Sequence, residues 1–313
     1  MTIREFPTRI LVRHTDPQAD ATRLLVLREA RRAALSPILL VACVVACWSM
    51  WREWIHGHAP PLEYAADPYW SLFYNAWPLL FGSFLLGAWT LARERPRTTR
   101  ELFTAAPLSA RRRTAARLVV AAVPALAAAV VVAVQAVLVA RAGGVPLGDF
   151  PYQLHVMPTV VEWASIPVAT VASYTAGAAM YSLTRTRAVT ALIGAFVTLF
   201  GVVSFWLWIW PPAVFISPIG NPVPEHDLTM SQMLDQLDAP LSRPDQVGLP
   251  WRLLDPDPAL SAAHSVALLG MAALFAALTL ERTVPDNRNH WIAWAGAVAV
   301  GVCSLAQVAA YLL

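Results

Sequence analysis

Seven stretches of this chain, each 19 to 25 residues long, contain no Asp, Glu, Arg or Lys: 33–51, 68–92, 118–140, 163–184, 188–210, 258–280 and 289–313. A helix rises about 1.5 Å per residue, so about 20 residues cross the hydrocarbon core of a bilayer. Apolar residues gathered into blocks of that length, rather than spaced along one face, are the pattern of membrane spans. Charged residues make up 14% of the chain, well below the roughly 25% of soluble domains, and hydrophobic residues 57%. A soluble globular domain is therefore excluded as a description of the whole.

Arginine sets the expected orientation. All 23 basic residues are arginine, and 19 of them fall in 1–33, 93–117, 184–188 and 281–290. The alternate segments 51–75, 141–158 and 211–257 hold the other four. Basic residues are retained on the cytoplasmic side, so the N-terminus is expected in the cytosol. The net charge of +3 is thus accounted for by topology, and no nucleic-acid partner is implied. Trp206, Trp208 and Trp210, ahead of Pro211-Pro212, fit an aromatic belt at the outer interface. The expected fold class is an all-α polytopic membrane protein of about 6–7 spans. Residues 1–34 form a cytoplasmic segment and 35–313 the transmembrane domain. Its spans are placed at about 35–50, 71–92, 118–140, 160–183, 189–210, 261–280 and 291–312, with inner loop 93–117 and outer loop 211–260.

Residues 1–15 lack an apolar h-region, so no cleavable signal peptide is expected. Asp16-Pro17 is a helix start, with Asp at the cap and Pro in the first turn. The helix that follows, about 17–34, groups Val26, Leu27, Ala30 and Ala34 on one side and Arg28, Glu29 and Arg32 on the other. It reads as a helix in the headgroup plane. Pro78, Pro124 and Pro167 fall at span ends or kinks. The outer segment 211–257 is proline-rich and acidic; Met230, Met233, Leu234 and Leu237 recur at helical intervals after Thr229, suggesting a short amphipathic helix over the outer mouth.

Segment 93–117, RERPRTTRELFTAAPLSARRRTAAR, carries eight arginines between two apolar runs. Thr98 and Glu101 have capping-box spacing, Glu-Leu-Phe-Thr-Ala-Ala makes about two turns, and Pro107 ends them. Ser109 caps the next helix. A small helix on arginine-rich arms, presenting Leu102 and Phe103, has the form of a plug for a socket on another protein.

Several chemistries are missing. Without a lysine there is no Walker motif, and His-Glu-x-x-His and Gly-x-Ser-x-Gly do not occur. Cys43, Cys47 and Cys303 lie within apolar runs and read as small packing residues. His56 and His58, two apart in an outer loop, read as exposed histidines rather than metal ligands. Within the spans, Gln135 and Gln307 are expected to hydrogen-bond between helices. Ser173, Tyr174 and Thr175, with Gly177, either line a path or allow close helix packing. Glu162, at the outer end of span four, and His264, just inside span six, are candidate substrate contacts, although a carboxylate at that interface is expected to face water. No carboxylate or arginine falls mid-span, which disfavours an ion-coupled carrier.

Arg100–Ala115, Arg-Glu-Leu-Phe-Thr-Ala-Ala-Pro-Leu-Ser-Ala-Arg-Arg-Arg-Thr-Ala, resembles the inner loop after the second span of permease subunits of ABC type-2 exporters. Leu24–Pro37 is similar to that family's amphipathic helix before its first span. The resemblance implies a permease without a nucleotide site, coupled to a separate ATP-binding cassette ATPase that binds ATP and Mg, and paired with a second, identical or homologous permease. It makes 99–106 a coupling helix, with Thr99, Arg100, Glu101, Leu102, Phe103 and Thr104 facing the ATPase. It places the chain in a bacterial plasma membrane, with no cofactor, metal or catalytic residue of its own. The family usually has six spans, and 289–313 would be a seventh. A polytopic membrane enzyme using Glu162 with His264, or a non-transporting sensor or scaffold on the same fold, is the alternative.

Overall fold

The structure, a computed structural model, describes residues 17–54, 70–93, 108–141, 145–147, 154–156, 158–206 and 258–312. In order these form α1 (Pro17–Ala34), α2 (Pro37–Trp54), α3 (Trp70–Ala92), α4 (Ala110–Val119) and α5 (Ala122–Arg141). A short antiparallel pair follows, β1 (Val145–Leu147) and β2 (Leu154–Val156), with Pro146 opposite His155. Then come α6 (Val160–Thr184), α7 (Arg187–Trp206), α8 (Pro258–Thr283) and α9 (Asn287–Leu312). The described chain is helical except for that hairpin, which an all-α reading did not include. Three residues per strand are too few for a period-two signal to show in sequence.

Among the described residues, three helices are long and apolar enough to cross a membrane: Ala110–Arg141, Ser261–Thr283 and Asn287–Gln307. Gln18–Ala34 and Pro37–Arg52 meet that description together but bend by 46° at Leu35–Ser36. The bend lies where Pro37 restricts the residue before it. Between α4 and α5 the ladder also breaks. Pro124 has no N–H for the Val120 carbonyl, which accepts from Val123 N–H at 2.9 Å instead. α4 and α5 therefore follow one another across a tight 3₁₀-like step.

α6 is the centre of the bundle, packing against α3, α5, α7 and α8. It is rich in Ala, Ser and Thr, with one glycine, Gly177, and small residues let helix backbones approach. The closest approach is reciprocal. A Cβ on Gly177 would stand 1.9 Å from the Phe84 carbonyl oxygen, and one on Gly87 would stand 2.0 Å from that of Tyr174. Ser173 donates from the same crossing to the Leu80 carbonyl at 2.7 Å. α8 and α9 cross likewise at Gly270 and Gly296, where each added Cβ would meet the other's carbonyl oxygen, at 2.8 and 2.6 Å.

Beside an apolar core, the described residues leave large hydrophobic side chains outside and enclose several polar ones. Leu126, Val130, Val134 and Val137 of α5 face outward, as do Leu192 and Phe196 of α7 and Trp291, Trp294, Val298 and Leu305 of α9. Glu29, Asn75, Arg117, Gln135, Glu162, His264 and Gln307 are all buried. Large apolar patches left outside mark contact with lipid or a partner, and these run along whole helices. The arrangement is compatible with a membrane-embedded protein.

Candidate functional site

One end of the bundle gathers the arginine-rich segments. Ser109, in extended backbone, caps α4 by accepting the Arg112 N–H, the start expected from the sequence. Arg111, the second residue of α4, pairs through Nη1 with the Asp286 carboxylate of the α8–α9 turn and donates from Nη2 to Asn289 Oδ1 at 3.3 Å. Arg112 donates to Gln18 Oε1 of α1 at 2.6 Å. At the far end of α1, Glu29 accepts from Arg32 at 3.3 Å and from Arg93, just past α3, at 3.0 Å. Arg187, opening α7, lies 5.9 Å above the Trp89 ring of α3. Segments far apart in the chain, near residues 18–32, 89–93, 111–117, 187 and 281–290, thus share one end.

The α8–α9 turn is braced internally. Asn289 is buried and donates from Nδ2 to Glu281 Oε2 and to the Val284 carbonyl, both at 3.0 Å. Asp286 donates its backbone N–H to Glu281 Oε2 at 3.2 Å and accepts the Arg288 N–H on Oδ1 at 3.2 Å. That backbone bond, and secondarily the Arg111 guanidinium, hold the Asp286 carboxyl below the usual aspartate value.

α1 departs from the expected facing. Glu29 lies against the protein with Ala33, while Leu24 and Leu27 are exposed beside Arg23 and Arg28. The buried carboxylate is stabilised there by two guanidinium groups, leaving the leucines free to face lipid.

Thr99, Arg100, Glu101, Leu102, Phe103 and Thr104 lie outside the described residues, as do His56, His58, Trp208, Trp210 and the segment 211–257. Glu162, Tyr174 and His264 are described, and all three are buried. Glu162 does not face water: it is the third residue of α6, and its Oε2 accepts the Thr159 N–H at 2.6 Å in a complete capping box. The amide donors of that helix start draw the carboxylate inward, overriding its cost of desolvation. Tyr174 donates its hydroxyl to the Arg117 carbonyl at 2.9 Å, tying α6 to α4 beside the Gly87 crossing. His264 Nδ1 lies 3.0 Å from Gln307 Oε1, and Gln307 donates to the Cys303 carbonyl at 3.1 Å, so this glutamine does bridge two helices. The Gln135 amide nitrogen is buried with no hydrogen-bond partner among the described residues.

Depth relates the three. Ala169 and Leu268 pack in one cluster with Trp77 and Leu80. Glu162 precedes Ala169 by about 10 Å of helix and His264 precedes Leu268 by about 6 Å, so the two stand near one level. Tyr174 is about 18 Å further along α6 than Glu162. Among the described residues, no group of three or more His, Cys, Asp or Glu is arranged to hold a metal ion. No protein-family model, curated protein or solved structure matches the chain.

The Arg111–Asp286 and Glu29–Arg93 pairs were not singled out in sequence. Their partners are 175 and 64 residues apart, and their place in arginine-rich segments was the one clue that they meet.

Proposed function

We propose that the chain is the transmembrane permease subunit of an ATP-driven exporter, working with a separate ATP-binding subunit and a second permease. α2, α3, α5, α6, α7, α8 and α9 are its seven crossings, in a bacterial plasma membrane, with the N-terminus in the cytosol. The observation that carries this is the gathering, at one end, of α1, α4 and the α8–α9 turn, the segments whose arginines mark them as cytosolic by charge. A partner pressing on 93–117 from that side meets helices already joined to the rest of the bundle. The chain itself supplies no chemical energy, so the ATPase's two states must bind it differently to bias its conformation. The segment Thr99–Thr104, with Glu101, Leu102 and Phe103 as contacts and Arg100 steering, is the surface that meets the ATPase.

The test begins with co-purification, which should bring down an ATP-binding protein. In the reconstituted complex, the double substitution Leu102→Ala/Phe103→Ala should reduce stimulation of ATP hydrolysis by at least tenfold while helical content stays unchanged. Wild-type stimulation in that variant would refute the coupling role. A second reading, a membrane enzyme, draws on the common level of Glu162 and His264. It predicts that no ATPase accompanies the chain.

A further inference from the structure

We infer that Arg111 is a positioning residue that fastens α4 to the α8–α9 turn, so that a displacement of segment 99–106 is delivered to the α8–α9 hairpin. This rests on the coupling role proposed above. Three residues, Pro107, Leu108 and Ser109, separate that segment from α4, and Ser109 and the Arg113 donation to the Leu108 carbonyl at 2.5 Å hold the first turn of α4 to the incoming chain. Arg111 then engages two groups of the turn at once, Asp286 and Asn289. One turn further, Thr114 Oγ1 stands 3.5 Å from Thr283 Oγ1, so the contact runs along α4 rather than resting on one point.

The receiving side is stiff. Asn289 is buried, and it and the Asp286 backbone bond back to Glu281, so a pull on Asp286 moves the end of α8 with the start of α9. The interlocked glycines Gly270 and Gly296 join the same two helices further along. A planar guanidinium with two fixed contacts transmits direction as well as force, which a lysine ammonium does less well. The pair is about one-third exposed on each side (32% and 32%), and a bridge of that exposure contributes little to stability. Its effect is therefore expected in coupling rather than in folding.

The experiment uses the full chain in lipid nanodiscs with its co-purifying ATP-binding protein. Cys43, Cys47 and Cys303 are replaced by serine, and spin labels are placed at Leu108, Ala188 and Arg288 in pairs. With wild-type Arg111, trapping ATP should shift both the 108–188 and the 288–188 distances. Arg111→Gln should keep the first shift and lose at least three-quarters of the second, and Arg111→Lys should retain an intermediate part. An undiminished 288–188 shift in Arg111→Gln would overturn the inference while leaving the coupling role standing. If the wild type shows no nucleotide-dependent 108–188 shift, the coupling role fails instead. The fastening is then judged on the resting chain, where Arg111→Gln must widen the 108–288 distribution at least twofold, and an unchanged width refutes it.

Discussion

Asp286 occupies the turn between α8 and α9, where it accepts the Arg288 N–H and faces the Arg111 guanidinium. Both favour its charged form, so its value in the folded protein lies below the roughly 3.9 of a free aspartate. A group depressed in this way stabilises the fold fully above its unfolded value. That contribution is lost as pH falls through about 4 and on through the lower folded value. Melting the wild type and Asp286→Asn side by side isolates this residue from the other carboxylates. The difference between them should be constant from pH 5 to 8 and shrink below about pH 4. A difference independent of pH would show that the charge is not involved. Glu162 teaches the converse: its spacing from Thr159 was visible in the sequence, but its position near a membrane interface suggested water. The capping box took precedence.

α3 and α6 cross where neither helix has a side chain. Because the neighbour of each glycine is a backbone carbonyl, no rotamer change can make room for a methyl group. Gly177→Ala should therefore cost about 3 kcal/mol, the upper end of what overpacking usually costs, and Gly87→Ala the same. Thermal melts in detergent would register either. Gly301 has nothing within 4 Å of an added Cβ, and Gly301→Ala, as the control, should be neutral or slightly stabilising. At this scale the helical character of the chain was legible, since charge-free blocks and helix caps are local properties, while three described helices, or four with the bent pair, are long and apolar enough to cross a membrane. Pro124, read as a span end or kink, lies at the α4–α5 step, whereas the bend before Pro37 was not singled out. The glycine crossing was only half legible: Gly177 stood out, but its counterpart Gly87 lies 90 residues earlier, and no local rule pairs them. The plug at Leu102 and Phe103 rests on sequence alone.

Among the described residues, an apolar core coexists with buried polar side chains and with rows of aliphatic and aromatic side chains on the outside, as expected where hydrocarbon rather than water is the surroundings. The arginine-rich segments of α1, α4 and the α8–α9 turn lie together, so a single orientation is expected to expose them to one compartment. Cysteines introduced at Arg28, Arg112 and Arg288 in a cysteine-free chain should react with an impermeant thiol reagent only from the cytosolic face. Reaction of any of the three from outside would overturn the proposed orientation. This distribution was foreseeable because it depends on counting charges. Which of them meet was not, because that depends on the crossing angles and register of helices far apart in sequence.

The hairpin of α8 and α9 carries its own fittings: facing glycines, a histidine matched to a glutamine, and a self-braced turn. Shortening the chain after Asp286 would therefore do more than trim a tail. His264 would lose its mate, the notch at Gly270 would stand open to acyl chains, and α8 would be left half-finished.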